Sequence, residues 1–396
     1  MKKRAMKGFT LVELLVAISV GLLVMWAGVV VYQQAQSSSM YMAQHSVVQG
    51  NARTAVNEMG QDLNLAGYGL PIAGVVVPSA ATFTCSNSSS ASAYAYQCPT
   101  TRIAFPVVSG NATLSGIMPH YAQGATINGN VTDMISIAYV DSSSDFAVDN
   151  PSTAQGFDAY PLNSATVSGA SSTLVFNAAT TPAPNDPKWG FKPGDLLMVS
   201  NSNGEAVGEV TSVTATSVVL GGGDTMNMNQ AFGTTGSVPN ALGFGSGTGT
   251  YGATTGTVLP ATTVYRVYVA SYYAQTDPLA QAAGSTASPT RLYRVINGDS
   301  NNNAPVPVAE QISNLTFTYN LFNSVCGGGL LTNQESLTTA QIGLIKTVNA
   351  YVTAASTLNA ATLTGQKIQQ IPLSTSVSPR NLSFYDSYSS TSTGTC

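Results

Sequence analysis

The residue best placed to do chemistry is an acid where an acid is costly. Glu13 is the only charged side chain in an apolar run that extends from Phe9 to Tyr32. That run is longer than the ~20 apolar residues a helix needs to cross a bilayer. A carboxylate at mid-membrane costs roughly 2.5–3.5 kcal/mol. Glu13 lies four residues after Phe9, so it can snorkel to the interface and have no further task, or a cation can meet it. Cleavage after Gly8 would create that cation, the new α-amino group of Phe9. Within one helix this group lies about one turn away; in a packed array the amino group of a neighbouring copy could serve instead.

The other reactive residues form no comparable constellation. There is no Gly-x-Ser-x-Gly elbow, no phosphate-binding loop and no His-Glu-x-x-His, and the two histidines are His45 and His120. A Ser/His/Asp triad would rest on His120 alone. Cys85, Cys98, Cys326 and Cys396 include no CxxC pair, so with two histidines a zinc site is not expected. An even cysteine count outside the cytoplasm suggests disulfides. Three connectivities are open. The favoured one joins Cys85 to Cys98 around a small Ser-rich loop and Cys326 to Cys396. Asp195, after Pro193-Gly194, reads as a turn acid that binds its own backbone. Asp299 to Asn303 resembles the opening of a calcium loop with Glu310 at the twelfth position, but no glycine stands at the sixth, and a solvated turn is the simpler reading. The Asn-x-Ser/Thr sequons at Asn87, Asn111, Asn130, Asn314 and Asn381 are what a Ser/Thr-rich chain yields by chance. Tyr265, Tyr268, Tyr272 and Tyr273 either present a ligand surface or pack a sheet, and their exposure decides between the two. No catalytic residue, metal or cofactor is expected, and an enzyme is the least favoured class.

The elements that position Glu13 come next. No proline occurs from Phe9 to Leu70, which predicts one helix from Phe9 to about Leu65. Its first half is apolar on every side. In the second half Val48, Ala52, Ala55, Val56, Met59, Leu63 and Ala66 recur at spacings of three and four, the mark of a helix with one buried stripe. Gly67-Tyr68-Gly69-Leu70-Pro71 should end it. Beyond residue 70 the period falls to two. Strands are predicted at Arg102–Val108, Met134–Val140, Thr173–Phe176, Asp195–Ser200, Ala206–Val213, Ser217–Leu220, Thr263–Tyr272, Arg291–Ile296, Leu315–Tyr319, Thr347–Ala354 and Asn381–Tyr385. Hairpin-length and longer connections make the sheets mainly antiparallel. Ser86–Ala93, Gly221–Gly256 and Ala274–Pro289 read as loops of low complexity.

Charged residues make up only 8% of the 396, while Gly numbers 37 and Pro 19. This is the composition of a β-rich extracytoplasmic protein, and it argues against a cytosolic enzyme or a coiled coil. The net charge is −4. Four of the 14 basic residues, Lys2, Lys3, Arg4 and Lys7, precede the apolar run; without them 10 basic residues face 18 acidic ones, a net charge of −8. No basic cluster remains to meet nucleic acid. The four leading cations place that end in the cytoplasm and the bulk of the chain on the other side.

Gly8-Phe9-Thr10-Leu11-Val12-Glu13, behind a short basic leader, resembles the signal of type IV prepilins and type II secretion pseudopilins. The resemblance implies cleavage between Gly8 and Phe9 by an inner-membrane prepilin peptidase, N-methylation of Phe9 by the same enzyme, and a subunit-docking role for Glu13. A secretory signal would carry a small-residue site after the apolar region, and Ala27-Gly28 followed by three valines is a poor one. Further stretches narrow the likeness to the PilW-like large minor pilins, relatives of the J-type pseudopilins. These are Gln61 to Tyr68 (with Asn64 where arginine is usual), Thr132 to Ile137, the Gly194-Asp195 meander, Tyr268 to Tyr273 with Arg291 to Arg294, Val308 to Phe317, and Ser378 to Leu382. The implied fold is α+β, a lollipop. It comprises a leader (1–8), a membrane or filament-core helix (9–32), its amphipathic continuation (33–70) and a β-rich head (71–396) with an inserted meander at about 170–260. The implied function is priming, capping or supporting assembly of a type IV pilus. The alternatives are a secretion pseudopilin or a tip adhesin. Implied partners are the major pilin, other minor pilins and the inner-membrane assembly platform. The implied location is the inner membrane with the head in the periplasm, then the cell surface after assembly.

Overall fold

The computed structural model describes residues 10–83, 103–127, 129–141, 160–176, 183–187, 190–243, 248–252, 260–276, 290–298, 305–322, 330–356, 370–379 and 381–382. One helix, α1 (Leu11–Leu65), begins it. Its 55 residues span about 82 Å at 1.5 Å per residue. The strands that follow are β1 (Val75–Val76), β2 (Thr82–Phe83), β3 (Ile103–Ala104), β4 (Val107–Val108), β5 (Asn111–Leu114), β6 (Ile117–His120), β7 (Thr126–Ile127), β8 (Asn130–Val131) and β9 (Met134–Val140). Next come β10 (Tyr160–Ser168), β11 (Ser171–Phe176), β12 (Leu196–Asn201), β13 (Gly204–Glu209), β14 (Ser212–Val213), β15 (Ser217–Leu220), a short helix α2 (Val238–Ala241), β16 (Thr248–Gly252) and β17 (Thr263–Thr276). The chain continues through β18 (Thr290–Ile296), β19 (Val306–Glu310), β20 (Ile312–Leu321), β21 (Leu331–Gln334), α3 (Thr339–Ile342), β22 (Ile345–Ala355) and β23 (Gln370–Val377).

Every strand pairing among the described residues is antiparallel, so the chain is a long helix followed by an antiparallel β head. The main sheet is built on β17. Its first half runs between β12 and β10, and its second half between β18 and β9. The change of partner falls near Tyr268. There the buried Asn297 substitutes for a strand: its N–H donates to the Val269 carbonyl at 2.8 Å, and its Oδ1 accepts from the Val269 N–H at 2.8 Å. Asn297 does this at φ 53, a conformation asparagine tolerates better than most residues. A four-stranded sheet, β21-β20-β22-β23, lies beside the main one.

The registers divide β17 into two faces. Tyr268, Ala270 and Tyr272 stand opposite Tyr139, Ile137 and Ile135, and these join the core that also holds the helix stripe. Val267, Val269 and Tyr273 belong to a second core on the other face, with Met118, Leu196, Met226 and Met228. Met134–Val140 is buried at every position, which explains why it is apolar throughout except at Ser136 and does not alternate. A third cluster gathers Tyr160, Phe176, Phe191, Leu197, Val218 and Leu220 from the β10–β15 region.

The seven residues expected on the helix stripe are all buried, and Asp62 is buried with them. Burying Val48, Val56, Met59 and Leu63 contributes about 1.5–3 kcal/mol each. The helix ends at the expected glycines. Gly69 adopts φ +70, and a Cβ there would stand 2.6 Å from Cβ of Val140, so both the backbone and the space require glycine.

Several expected strands differ. Arg102–Val108 is interrupted at Phe105-Pro106, where proline removes a ladder donor, leaving β3 and β4. Ala206–Val213 breaks after Glu209 into β13 and β14, because Val210 N–H turns to the Asp195 carbonyl and Thr211 N–H to that of Val219. In place of the start of a strand at Asn381–Tyr385, Asn381 and Leu382 form a helical turn, with Leu382 against Gly67; the rest of that stretch lies outside the described residues. Gly221–Gly256, expected as a loop, contains α2, β16 and the buried Met226 and Met228.

Candidate functional site

At the helix start, Thr10 is the N-cap, with extended backbone (φ −79, ψ 150). Its Oγ1 accepts from the Glu13 N–H at 3.3 Å. Glu13 Oε2 in turn accepts from the Thr10 N–H and the Thr10 hydroxyl, each at 3.0 Å. This reciprocal capping box satisfies two of the donors that a helix start leaves orphaned, and it puts a negative charge at the positive end of the helix dipole. The sequence carries the signal for it, Thr10-x-x-Glu13 before an apolar run. Glu13 is therefore a cap as well as a candidate docking acid. Its remaining surface is exposed, free to face a partner. Gly8 and Phe9 lie outside the described residues, as do Cys85, Cys98, Cys326 and Cys396.

From Leu11 to Tyr32 the large apolar side chains are exposed, Leu11 by 75% and Trp26 by 68%. The helix is long and apolar enough to cross a membrane by length and composition. Such a surface in water would be a severe aggregation liability, so its covering is lipid or other subunits.

The other end of α1 is fixed to the head by a polar knot that sequence reasoning missed. Arg294 of β18 grips the Asp62 carboxylate at both oxygens, Nε to Oδ2 at 2.7 Å and Nη2 to Oδ1 at 3.0 Å. The Tyr272 hydroxyl meets Oδ2 at 2.7 Å and the Tyr139 hydroxyl meets Oδ1 at 3.4 Å. Burial, and then the Asp62 charge, pushes both tyrosines far above the ordinary phenol range, so each keeps its proton to donate to Asp62, while the Tyr139 oxygen also accepts from Arg294 Nη2 at 3.4 Å. Both partners of the ion pair lie in stretches that carried the family resemblance, but they are 232 residues apart and no local period links them.

Asp133 plays a similar part between the sheets. Its Oδ2 accepts from the Phe317 N–H at 2.9 Å and its Oδ1 from the Ala122 N–H at 2.8 Å. Asp195 binds its own turn as expected, accepting from the Lys192 N–H at 2.9 Å. It also pairs with Arg266 at 3.3 Å, and Arg266 lies over the Phe191 ring. Beside the Asp62 knot is a cleft of about 430 Å³ lined by Tyr139, Lys192, Asp195, Arg266, Tyr268 and Arg294. Its arginines are held by carboxylates of the chain itself.

The remaining candidates are structural. His45 is exposed on α1. Tyr272 and Tyr273 are fully buried, whereas Tyr265 and Tyr268 are half-buried. That burial opposes a tyrosine-rich ligand surface. Glu310 pairs with Arg291 at 3.1 Å; residues 299 to 303 lie outside the described residues. No group of three His, Cys, Asp or Glu able to hold a metal occurs among the described residues.

His120 is buried on β6, with Nε2 3.1 Å from Ser136 Oγ, which lies 2.7 Å from Ser271 Oγ. Desolvation lowers its pKa from 6.5 to about 4. In the unfolded chain it protonates near 6.5, so its contribution to stability is present above that pH and is lost as pH falls towards 4. The loss is about 3 kcal/mol. In a comparison of unfolding free energies near pH 7 and pH 4.5, His120→Gln should show a smaller acid loss than the native chain; equal losses would refute the assignment.

Residues 3–29 match the model of the prokaryotic N-terminal methylation motif. No curated protein and no solved structure matches the chain. The motif is that of type IV pilin-like prepilins, a structural and not a catalytic class, and it implies processing by a prepilin peptidase and handling by pilus-assembly machinery in general. The unburied apolar helix that follows fits a membrane-anchored pilin.

Proposed function

We propose that this chain is a minor pilin of the PilW-like kind, which primes, caps or supports a type IV pilus. The observation that carries the reading is the methylation motif running without a break into an apolar helix that the head leaves bare from Leu11 to Tyr32. In this reading the leader (1–8) is removed between Gly8 and Phe9, and Phe9 is N-methylated. Residues 9–32 hold the subunit in the inner membrane, with the leader cytoplasmic and the head periplasmic, and later join the filament core. There Glu13 neutralises the Phe9 amino group of a neighbour, since an unpaired charge in a dry core is expensive. The partners are the prepilin peptidase/N-methyltransferase, the assembly platform, the other minor pilins and the major pilin. Residues 33–70 carry the helix into the head, and 71–396 form that head with its inserted region at about 170–260. Disulfides among Cys85, Cys98, Cys326 and Cys396 suit a periplasmic head.

Mass spectrometry of sheared surface filaments tests this. The chain should be found starting at N-methyl-Phe9, at a low ratio to the major subunit. Its absence from pili, with the same processed start in the membrane fraction, would move the assignment to a type II secretion pseudopilin. Gly8→Arg should leave the prepilin uncut; a mature-sized product from it would sink the cleavage site.

A further inference from the structure

The main sheet is open at one point, and the cleft beside the Asp62 knot lies over the opening. On one edge of β17, β12 begins at the Leu196–Val267 pair and β18 ends at the Ile296–Ala270 pair. Among the described residues no strand holds Tyr268 or Val269 on that edge, where Asn297 alone bonds to Val269. The two strands therefore part around Tyr268. The cleft, of about 430 Å³, is within the size range of small-ligand sites. Arg266 and Tyr268 line it from β17, Lys192 and Asp195 from the β12 side, and Arg294 and Ile296 from β18.

Its walls are fixed before any ligand arrives. The Arg266 guanidinium pairs with Asp195 at 3.3 Å and with Asp141 at 3.6 Å, donates to the Gly190 carbonyl at 2.7 Å and covers the Phe191 ring. Asp195 Oδ2 also accepts from the Lys192 N–H, and Arg294 is held by Asp62 through Nε and Nη2. Groups already ordered in this way bind a ligand without a further ordering cost. Three polar groups of the lining residues are left over. The Lys192 ammonium, Arg294 Nη1 and Asp195 Oδ1 have no hydrogen-bond or ion-pair partner among the described residues. Lys192 is exposed, and the Asp195 and Arg294 side chains keep 16% and 26% of their surface, so all three reach solvent.

We propose that this cleft binds an acidic saccharide, a short sugar carrying a single carboxylate. Lys192 and Arg294 Nη1 receive the carboxylate in charge-assisted hydrogen bonds. Asp195 Oδ1 accepts from a ring hydroxyl. The Tyr268 ring and Ile296, both half-buried, meet the apolar C–H face of the sugar. The charge balance selects this class of ligand. Outside the leading four cations the chain has 10 basic residues against 18 acidic ones, yet three of the 10 line this cleft. Asp195 in the lining, with Asp62 and Asp141 paired behind it, cancels their summed charge. A ligand of dense negative charge, such as a nucleic acid, therefore finds no net field here. A lone carboxylate among hydroxyls finds two cationic donors and one acceptor.

The test is calorimetric titration of the full chain at neutral pH, in a detergent without a sugar headgroup. The probe is a disaccharide of one glucuronic acid and one neutral hexose. It is compared with the neutral disaccharide that has glucose in place of the glucuronic acid, and with a short peptide of Asp and Ser. The acidic disaccharide should bind saturably, and at least about tenfold more tightly than either comparison ligand. Lys192→Gln should weaken that binding by at least about tenfold, the worth of one charge-assisted hydrogen bond, while Lys192→Arg should bind nearly as the native chain does. Both variants should keep the native unfolding temperature, because Lys192 is exposed. No saturable binding by the native chain would overturn the assignment, as would equal binding of the neutral disaccharide or tighter binding of the peptide. So would a Lys192→Gln chain that binds as the native one does, or a Lys192→Arg chain that loses as much as Lys192→Gln.

Discussion

Arg294→Met is expected to destabilise the head by about 3–5 kcal/mol, the cost of stranding a buried carboxylate. Asp62 has a side chain only 8% exposed, and Arg294 supplies two of its short contacts. The hydroxyls of Tyr272 and Tyr139 would remain, but a phenol far above its ordinary pKa cannot neutralise the charge. The penalty should therefore trace to the charge and not to lost packing, since methionine keeps most of the stem's apolar contact. Adding Asp62→Asn to the same chain should restore roughly half of the loss, because an amide leaves no net charge to bury. Denaturant unfolding of the four chains that complete this cycle measures it. A loss below about 1 kcal/mol would place the pair among ordinary surface bridges. The pair joins the last turns of α1 to β18, so the loss should appear as helix release from the head, seen as exchange of residues 48–65 ahead of β9.

The second large effect concerns Glu13, where two roles now need separating. Glu13→Gln keeps the capping box, because a glutamine side chain can still accept from Thr10. Glu13→Ala removes both the cap and the charge. If the carboxylate neutralises a neighbour's Phe9 amino group, both variants should be processed normally and both should lose filament assembly by at least about tenfold, since every 1.4 kcal/mol of unpaired charge is worth that factor. If the cap alone matters, glutamine should assemble normally and alanine should not. Counting surface pili, with the processed subunit measured in parallel, decides between them. The exposed position of Glu13 on the isolated chain suits the first outcome, for the charge then has a face available to another subunit.

The helix and its two characters were legible before any coordinates. Its buried stripe repeats every three or four residues, and such a period shows itself over 20 residues whatever the rest of the chain does. Strands β9, β17, β18, β20 and β22 were legible for the same reason, whereas the eight-residue β23 was not expected. β1, β2, β7 and β8 were not, because two residues carry no period. Nor was β10, whose Ser and Thr positions resemble a loop until β11 and β16 pair with it. Gly221–Gly256 resembles a loop because Gly, Thr and Asn signal turns, and nothing local announces that Met226 and Met228 are buried in a core built from distant strands.

By itself the sequence determined the apolar helix, the isolated acid within it and the methylation motif ahead of them. Each is a contrast between neighbours along the chain, where chemistry and order coincide. Tertiary structure alone decided that Asp62 meets Arg294 and that Asp133 joins two sheets. Those partners are brought together by folding across up to 232 residues, and the burial that strengthens them exists only once the head has closed around the helix.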